Sequence, residues 1–263
     1  MTQLKPQEIL EATMDAAVRK SQLSIRRMIL LGIMAGAFIA LAGSGANMAG
    51  YYLLSDPATN GMGKMLSGCI FPAGLILVVF TGAELFTGNN LMVTALLDKR
   101  ISLGAMLRNW IIVYIANLAG SVLIAWMVAY CGLLETGDGM LKEVTISIAA
   151  AKTALPFGKA FVRAIMCNFL VCLAVWLSTA ADSTIGKIFS IFFPIWLFVT
   201  AGFEHSVANM FFIPAGIFAD GGATAGLTWG SFFIANLLPV TLGNLVGGSL
   251  LVGGLYYYIY KRA

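Results

Sequence analysis

Gly82-Ala83-Glu84-Leu85-Phe86-Thr87-Gly88-Asn89 interrupts one long apolar stretch of this chain, and Gly202-Phe203-Glu204-His205-Ser206-Val207-Ala208-Asn209 interrupts another. Glycine, glutamate and asparagine recur in register at a constant offset of 120 residues. An ionisable side chain inside a membrane helix costs about 2.5–3.5 kcal/mol on insertion scales. One such residue reads as an isolated buried contact, whereas two at matching positions of a repeat read as architecture.

The surroundings of the two breaks are those of a membrane protein. Residues 28–55, 65–83, 109–134, 164–181 and 221–260 hold no Asp, Glu, Lys, Arg or His. Uncharged apolar runs of about 18 residues or more span bilayers as helices, and the period-two alternation of a barrel is missing from them. Charged residues make up 11% of the 263, hydrophobic ones 59%, and mean hydropathy is +0.88. A soluble domain carries about 25% charged residues, so a water-facing globule is excluded. Six spans are expected, near 28–54, 65–97, 106–134, 157–181, 185–219 and 229–260, the second and fifth broken by charge.

Asn117-Leu118-Ala119-Gly120 in span three is echoed by Asn244-Leu245-Val246-Gly247 in span six, and Ile33-Met34 more weakly by Ile165-Met166. Three spans per half is an odd number, so the halves insert with opposite orientation. The pattern predicts an all-α fold of six transmembrane helices in an inverted 3+3 repeat, with the broken helices meeting near the midplane. The repeat halves are about 28–134 and 157–260, within one channel domain over 28–263.

Positive charge sets orientation. Placing the N-terminus in the cytoplasm puts Lys5, Arg19, Lys20, Arg26, Arg27, Lys99, Arg100, Arg108, Lys187, Lys261 and Arg262 on that side. Lys64, Lys142, Lys152, Lys159 and Arg163 remain outside or at membrane depth. Both termini are therefore expected inside. The polar, charged first 27 residues leave the first apolar run to direct insertion. Within residues 1–27, Pro6 opens a short amphipathic helix whose stripe is Ile9, Leu10, Met14, Ala17 and Val18. It is expected to lie on the membrane or on a neighbouring subunit.

Glu84 and Glu204 are expected to take backbone N–H groups freed at the helix breaks, with a direct part in ion or proton transfer as the alternative. Asn89 and Asn209 have amides suited to the same task. His205 is the single histidine, and at membrane depth such a group faces a cavity or pathway. Thr87 is its expected hydroxyl partner from the other half. Lys152 stands among small residues with no acid beside it in sequence, which also suits an interfacial lysine snorkelling to water. Phe71, Phe86, Phe198, Phe203, Leu75, Leu85 and Val171 are candidates for constrictions. Cys69, Cys131, Cys167 and Cys172 have neither zinc nor disulfide-framework spacing, so no metal or cofactor is expected. The net charge of +4 concerns topology and does not imply nucleic acid.

The two interrupted motifs, together with Asn168-Phe169-Leu170-Val171-Cys172-Leu173-Ala174-Val175-Trp176, resemble the formate/nitrite transporter family over nearly the whole chain. The resemblance implies a homopentamer of aquaporin-like protomers, one pore each, in the inner membrane. It implies a small monovalent anion (formate, hydrosulfide or nitrite) as solute. It assigns the central histidine to His205, the loop threonine to Thr87, the vestibule lysine to Lys152 and polar positions near the path to Asn168 and Asn209. It places Phe71, Leu75 and Phe198 in an outer apolar gate, and Leu85, Phe86 and Val171 in an inner one. The Gly88-Asn89-Asn90 continuation points towards the hydrosulfide branch. Other classes fit less well. A water or glycerol channel would need paired Asn-Pro-Ala breaks, and the chain has no Asn-Pro dipeptide. An intramembrane enzyme would have to work with Glu204 and His205 alone. The P-loop pattern of an ATP-driven pump is missing.

Overall fold

The computed structural model describes residues 3–261, so Arg262 of the orientation count lies outside the described residues. Its helices run, in order, α1 (Pro6–Ser21), α2 (Ile25–Leu54), α3 (Asn60–Thr81), two short pieces α4 (Phe86–Asn89) and α5 (Val93–Leu97), α6 (Leu103–Tyr130), α7 (Met140–Thr153), α8 (Phe157–Ala180), α9 (Thr184–Thr200), α10 (Ser206–Asp220) and α11 (Trp229–Lys261). Five of them, α2, α3, α6, α8 and α11, are long and apolar enough to cross a membrane. The expected fifth span divides into α9 and α10 at Ala201–His205, and the expected second into α3 and the α4–α5 segment.

Serine hydroxyls start three of the apolar helices by accepting a first-turn N–H: Ser24 from Arg27, Ser102 from Ala105 and Ser183 from Gly186. This satisfies donors that the helix itself cannot. The helices then cross closely through glycine. A Cβ on Gly36 of α2 would lie 2.1 Å from Asn117 O of α6, and one on Gly120 of α6 would lie 2.1 Å from Ile33 O of α2. The α8–α11 crossing repeats this, with Gly243 against Phe161 O at 2.3 Å and Gly247 against Ile165 O at 2.2 Å. Without a solvent-driven force between helices in lipid, such backbone approach supplies the packing.

One feature departs from the sequence expectation and a second lies outside it. First, α1 docks on its own chain: Ile9, Leu10, Met14 and Ala17 are buried with Met92, Ala95, Met106 and Trp176. Second, the connection before α8 is itself a helix, α7, and it carries Lys152 in its last turn. In addition, α11 widens to π-type hydrogen bonding over Phe232–Leu237 and Val246–Gly254, a deviation common at functional sites.

Candidate functional site

Both breaks are built the same way. Gly82 and Gly202 end α3 and α9 at φ of 70° and 72°, a left-handed turn that suits glycine. The chain then leaves helical structure for three residues, extended at Leu85 and His205, and restarts as α4 and α10. At the first restart, Phe86 N–H donates to Asn117 Oδ1 at 2.9 Å, while Asn117 Nδ2 donates to Gly32 O and Glu84 O at 2.8 and 2.9 Å. At the second, Ser206 N–H donates to Asn244 Oδ1 at 2.8 Å, and Asn244 Nδ2 donates to Ala164 O and Glu204 O at 2.8 and 3.0 Å. The freed backbone groups are thus satisfied by asparagines of α6 and α11. The carboxylates of Glu84 and Glu204 do not take them, contrary to the sequence expectation.

The carboxylates hold cations instead. Glu84 Oε1 lies 2.5 Å from Lys20 Nζ, and its Oε2 accepts from Asn89 Nδ2 at 2.7 Å and Asn109 Nδ2 at 3.3 Å. Glu204 Oε1 lies 3.0 Å from Lys152 Nζ, and its Oε2 accepts from Asn209 Nδ2 at 2.6 Å and Asn236 Nδ2 at 3.5 Å. Lys152, lacking an acid nearby in sequence, finds one 52 residues away. Its ammonium also sits 5.6 Å from the Phe212 ring centroid, a cation–π contact.

Between the two clusters lies the central pair. His205 caps α10, its Nδ1 accepting Ala208 N–H at 3.0 Å. A neutral imidazole that accepts at Nδ1 carries its proton on Nε2, so Nε2–H donates to Thr87 Oγ1, 2.9 Å away. Thr87 then keeps its own hydroxyl proton free to donate. Phe198 stacks on the imidazole at 5.8 Å and 25°.

Three cavities run in series through this assembly. The first, about 390 Å³, opens beside α1 and is lined by Arg19, Lys20, Glu84 and Asn89. The third, about 170 Å³, lies towards the other end of α2 and is lined by Lys64, Lys152, Glu204 and Asn209. The middle one, about 10 Å³, is bounded by Phe71, Leu75, Leu85, Val171, Phe198 and His205. Leu75 and Leu85 also bound the first cavity, and Phe71, Phe198 and His205 the third. A chamber of that size holds about one water.

The structure therefore brings together Phe71, Leu75, Leu85, Val171, Phe198, His205 and, through its hydrogen bond, Thr87. Phe86 is buried but turned away from the chamber, edge-on to Trp110 and Tyr114 at 6.2 and 4.9 Å. Phe203 lies at the third cavity. Asn168 braces the loop: its Nδ2 reaches Asn90 Oδ1 and Asn244 O, both at 2.8 Å, and Thr87 O at 3.3 Å. Its Oδ1 and that of Asn209 are buried without a partner.

Lys20 entered the sequence reading only through the orientation count, and Asn109 and Asn236 not at all. Lys20 and Lys152 stand at the same 132-residue offset as Ile33 and Ile165, and Asn109 and Asn236 at the 127-residue offset of Asn117 and Asn244. Those offsets were the available signal.

A membrane-spanning helical protein with polar vestibules on either side of an apolar constriction is a pore protein of the channel and transporter class, and not an enzyme. The profile of the formate/nitrite transporter family matches residues 7–258, and the chain belongs to that family. A relative from Methanothermobacter thermautotrophicus described as a probable formate transporter is 44% identical, over 98% of this chain and 97% of its own. A solved FNT family ion channel superposes with a TM-score of 0.85 at 31% identity, covering 95% of this chain and 98% of the other. A pentameric formate channel with formate bound gives a TM-score of 0.77 at 35% identity, over 90% and 98%.

Proposed function

We propose that this protein is a channel for small monovalent weak-acid anions, formate foremost, with one pore per protomer of a homopentamer. Its two halves form an aquaporin-like inverted 3+3 repeat in the inner membrane, with both termini in the cytoplasm. The observation that carries this reading is the series of cavities: a Lys–Glu pair in each vestibule and a water-sized apolar chamber at Thr87 and His205 between them. Formate leads because the relatives and a solved neighbour are named for it; hydrosulfide and nitrite share its size and its single charge.

Moving a bare carboxylate-sized anion into a low-dielectric medium costs on the order of 20 kcal/mol in an idealised Born estimate. The middle chamber has no room for a hydration shell, so the solute crosses it neutral. Lys152 on one side and Lys20 on the other each keep ammonium N–H groups beyond those given to the glutamate, and these receive the anion. Desolvation at the chamber mouth then raises the acid's pKa, as it does a buried carboxylate's. The anion takes a proton from vestibule water, passes as the acid and returns the proton beyond the chamber. Thr87 donates its hydroxyl hydrogen to the solute oxygen on the way, while its oxygen accepts from His205 Nε2–H. Asn209 lines the third cavity and Asn168 braces the Thr87 loop; each has an unpaired amide oxygen, which suits an acid's O–H.

The test is flux of formate, nitrite and hydrosulfide into proteoliposomes at two external pH values. Formate entry that rises as external pH falls is the expected result. Hydrosulfide passing well above the other two would reassign the solute, and no flux of any would overturn the channel.

A further inference from the structure

We infer that the net positive potential drawing anions into the two vestibules comes from Arg19 and Lys64, a second cation in each, and not from Lys20 and Lys152. The inference rests on the channel reading and deepens it. Each cavity is lined by two cations and one carboxylate: Arg19, Lys20 and Glu84 in the first, Lys64, Lys152 and Glu204 in the third. Lys20 and Lys152 are in contact with their glutamates at 2.5 and 3.0 Å. Viewed from the entrance, each pair is a dipole whose charges cancel. At about 10 Å, a pair roughly 3 Å apart keeps on the order of a third of a lone charge's potential along its axis, and less off it. Arg19 and Lys64 are exposed, and among the described residues neither forms an ion pair. Each leaves its vestibule with one uncompensated positive charge, the sign that concentrates anions at a mouth.

The repeat does not explain this excess. The 132-residue offset that carries Lys20 to Lys152 carries Arg19 to Ala151, and the 120-residue offset of the breaks carries Lys64 to Thr184. The extra cations come from unrelated elements, α1 and α3, yet each vestibule holds one. The charges thus divide their work. Lys20 and Lys152 hold the breaks and offer hydrogen bonds at short range, while Arg19 and Lys64 set the long-range field.

The experiment measures formate flux in proteoliposomes at ionic strengths of about 0.01 M and about 1 M, where the Debye lengths are about 30 Å and 3 Å. Arg19→Gln and Lys64→Gln are each expected to raise the apparent KM several-fold at low salt. Their maximal rate should hold, and the difference from wild type should close at high salt. Arg19→Lys and Lys64→Arg should restore the low-salt KM, which a folding defect would not allow. A wild type that conducts, with glutamine variants matching its KM at both salts, overturns the inference. A wild type that passes no formate overturns the channel reading on which it rests.

Discussion

His205 caps a helix through one ring nitrogen and orients a hydroxyl through the other, and its variants separate the two tasks. Thr87→Val removes the acceptor of Nε2–H at nearly constant volume. The unpaired donor then costs about 1–3 kcal/mol of stability, and the solute loses its donor at the narrowest point. Formate flux is expected to fall about tenfold or more, with Thr87→Ser keeping most of it; a Thr87→Val channel at wild-type flux would remove the hydroxyl from the mechanism. His205→Asn retains a good cap, whereas His205→Ala loses about 1 kcal/mol at the start of α10, so their melting temperatures should differ while both conduct poorly. The ion pair yields another residue-scale result. Lys152→Ala strands the carboxylate of Glu204, which is 3% exposed, at a cost of about 3–5 kcal/mol. Lys152→Ala combined with Glu204→Gln should melt higher than Lys152→Ala alone, because the stranded charge is gone. A double variant melting no higher than the single would mean that the pair is not coupled.

Among the elements, α1 adds to its buried apolar stripe a clasp of ion pairs at its rim. Arg100 bonds Glu11, Asp15 and Asp98, and Lys261 reaches Glu11 at 3.0 Å and Asp98 at 3.5 Å. Hydrogen bonds from Lys261 and Arg100 hold the Glu11 carboxyl below its ordinary 4.5. Burial pushes Asp98 up, but hydrogen bonds from Arg100 and Tyr257 and the nearby cations outweigh it, leaving Asp98 below its ordinary 3.8. A carboxyl with a depressed folded pKa stabilises fully above its unfolded pKa, and that contribution is lost as pH falls through the folded value. The clasp is therefore expected intact at pH 5 and above, and α1 should loosen only as pH drops below the ordinary carboxylate range. Hydrogen exchange over residues 6–21 measures this; protection already lost at pH 6 would contradict it. The sequence made the apolar stripe of α1 legible through its helical spacing, but not its seat on α5, α6 and α8, because the stripe carries no address. It also hid α7, whose 14 residues include Lys142, Glu143 and Lys152 and so interrupt any apolar run.

At the scale of the whole molecule, the 120-residue offset made both breaks legible along with Glu84, Glu204, Asn89 and Asn209. The offsets of 127 and 132 differ because the connections between helices differ in length, so Lys20 and Asn109 read as ordinary polar residues. An ion pair joining residues 64 apart has no local trace. What ties the halves to the pore is helix spacing, and this gives a prediction that belongs to no single residue. A methyl at Gly36 would stand 2.1 Å from Asn117 O, and one at Gly247 would stand 2.2 Å from Ile165 O. Both obstacles are backbone, so α2 must part from α6, and α8 from α11. Asn117 and Asn244 ride on the displaced helices, and they hold Phe86 N–H beside Thr87 and Ser206 N–H beside His205. Gly36→Ala and Gly247→Ala should each cost about 1–3 kcal/mol as overpacking does, and each should lower formate flux although neither position lines a cavity. Gly61→Ala is the control: nothing lies within 4 Å of its Cβ, and at a compatible helical site the change stabilises by about 0.4–1 kcal/mol. Melting and flux measured on the three variants decide the matter. If Gly36→Ala and Gly247→Ala melt early yet conduct like wild type, the crossings serve the fold alone; if both readouts fall together while Gly61→Ala is spared, the spacing of the helices sets the geometry of the chamber.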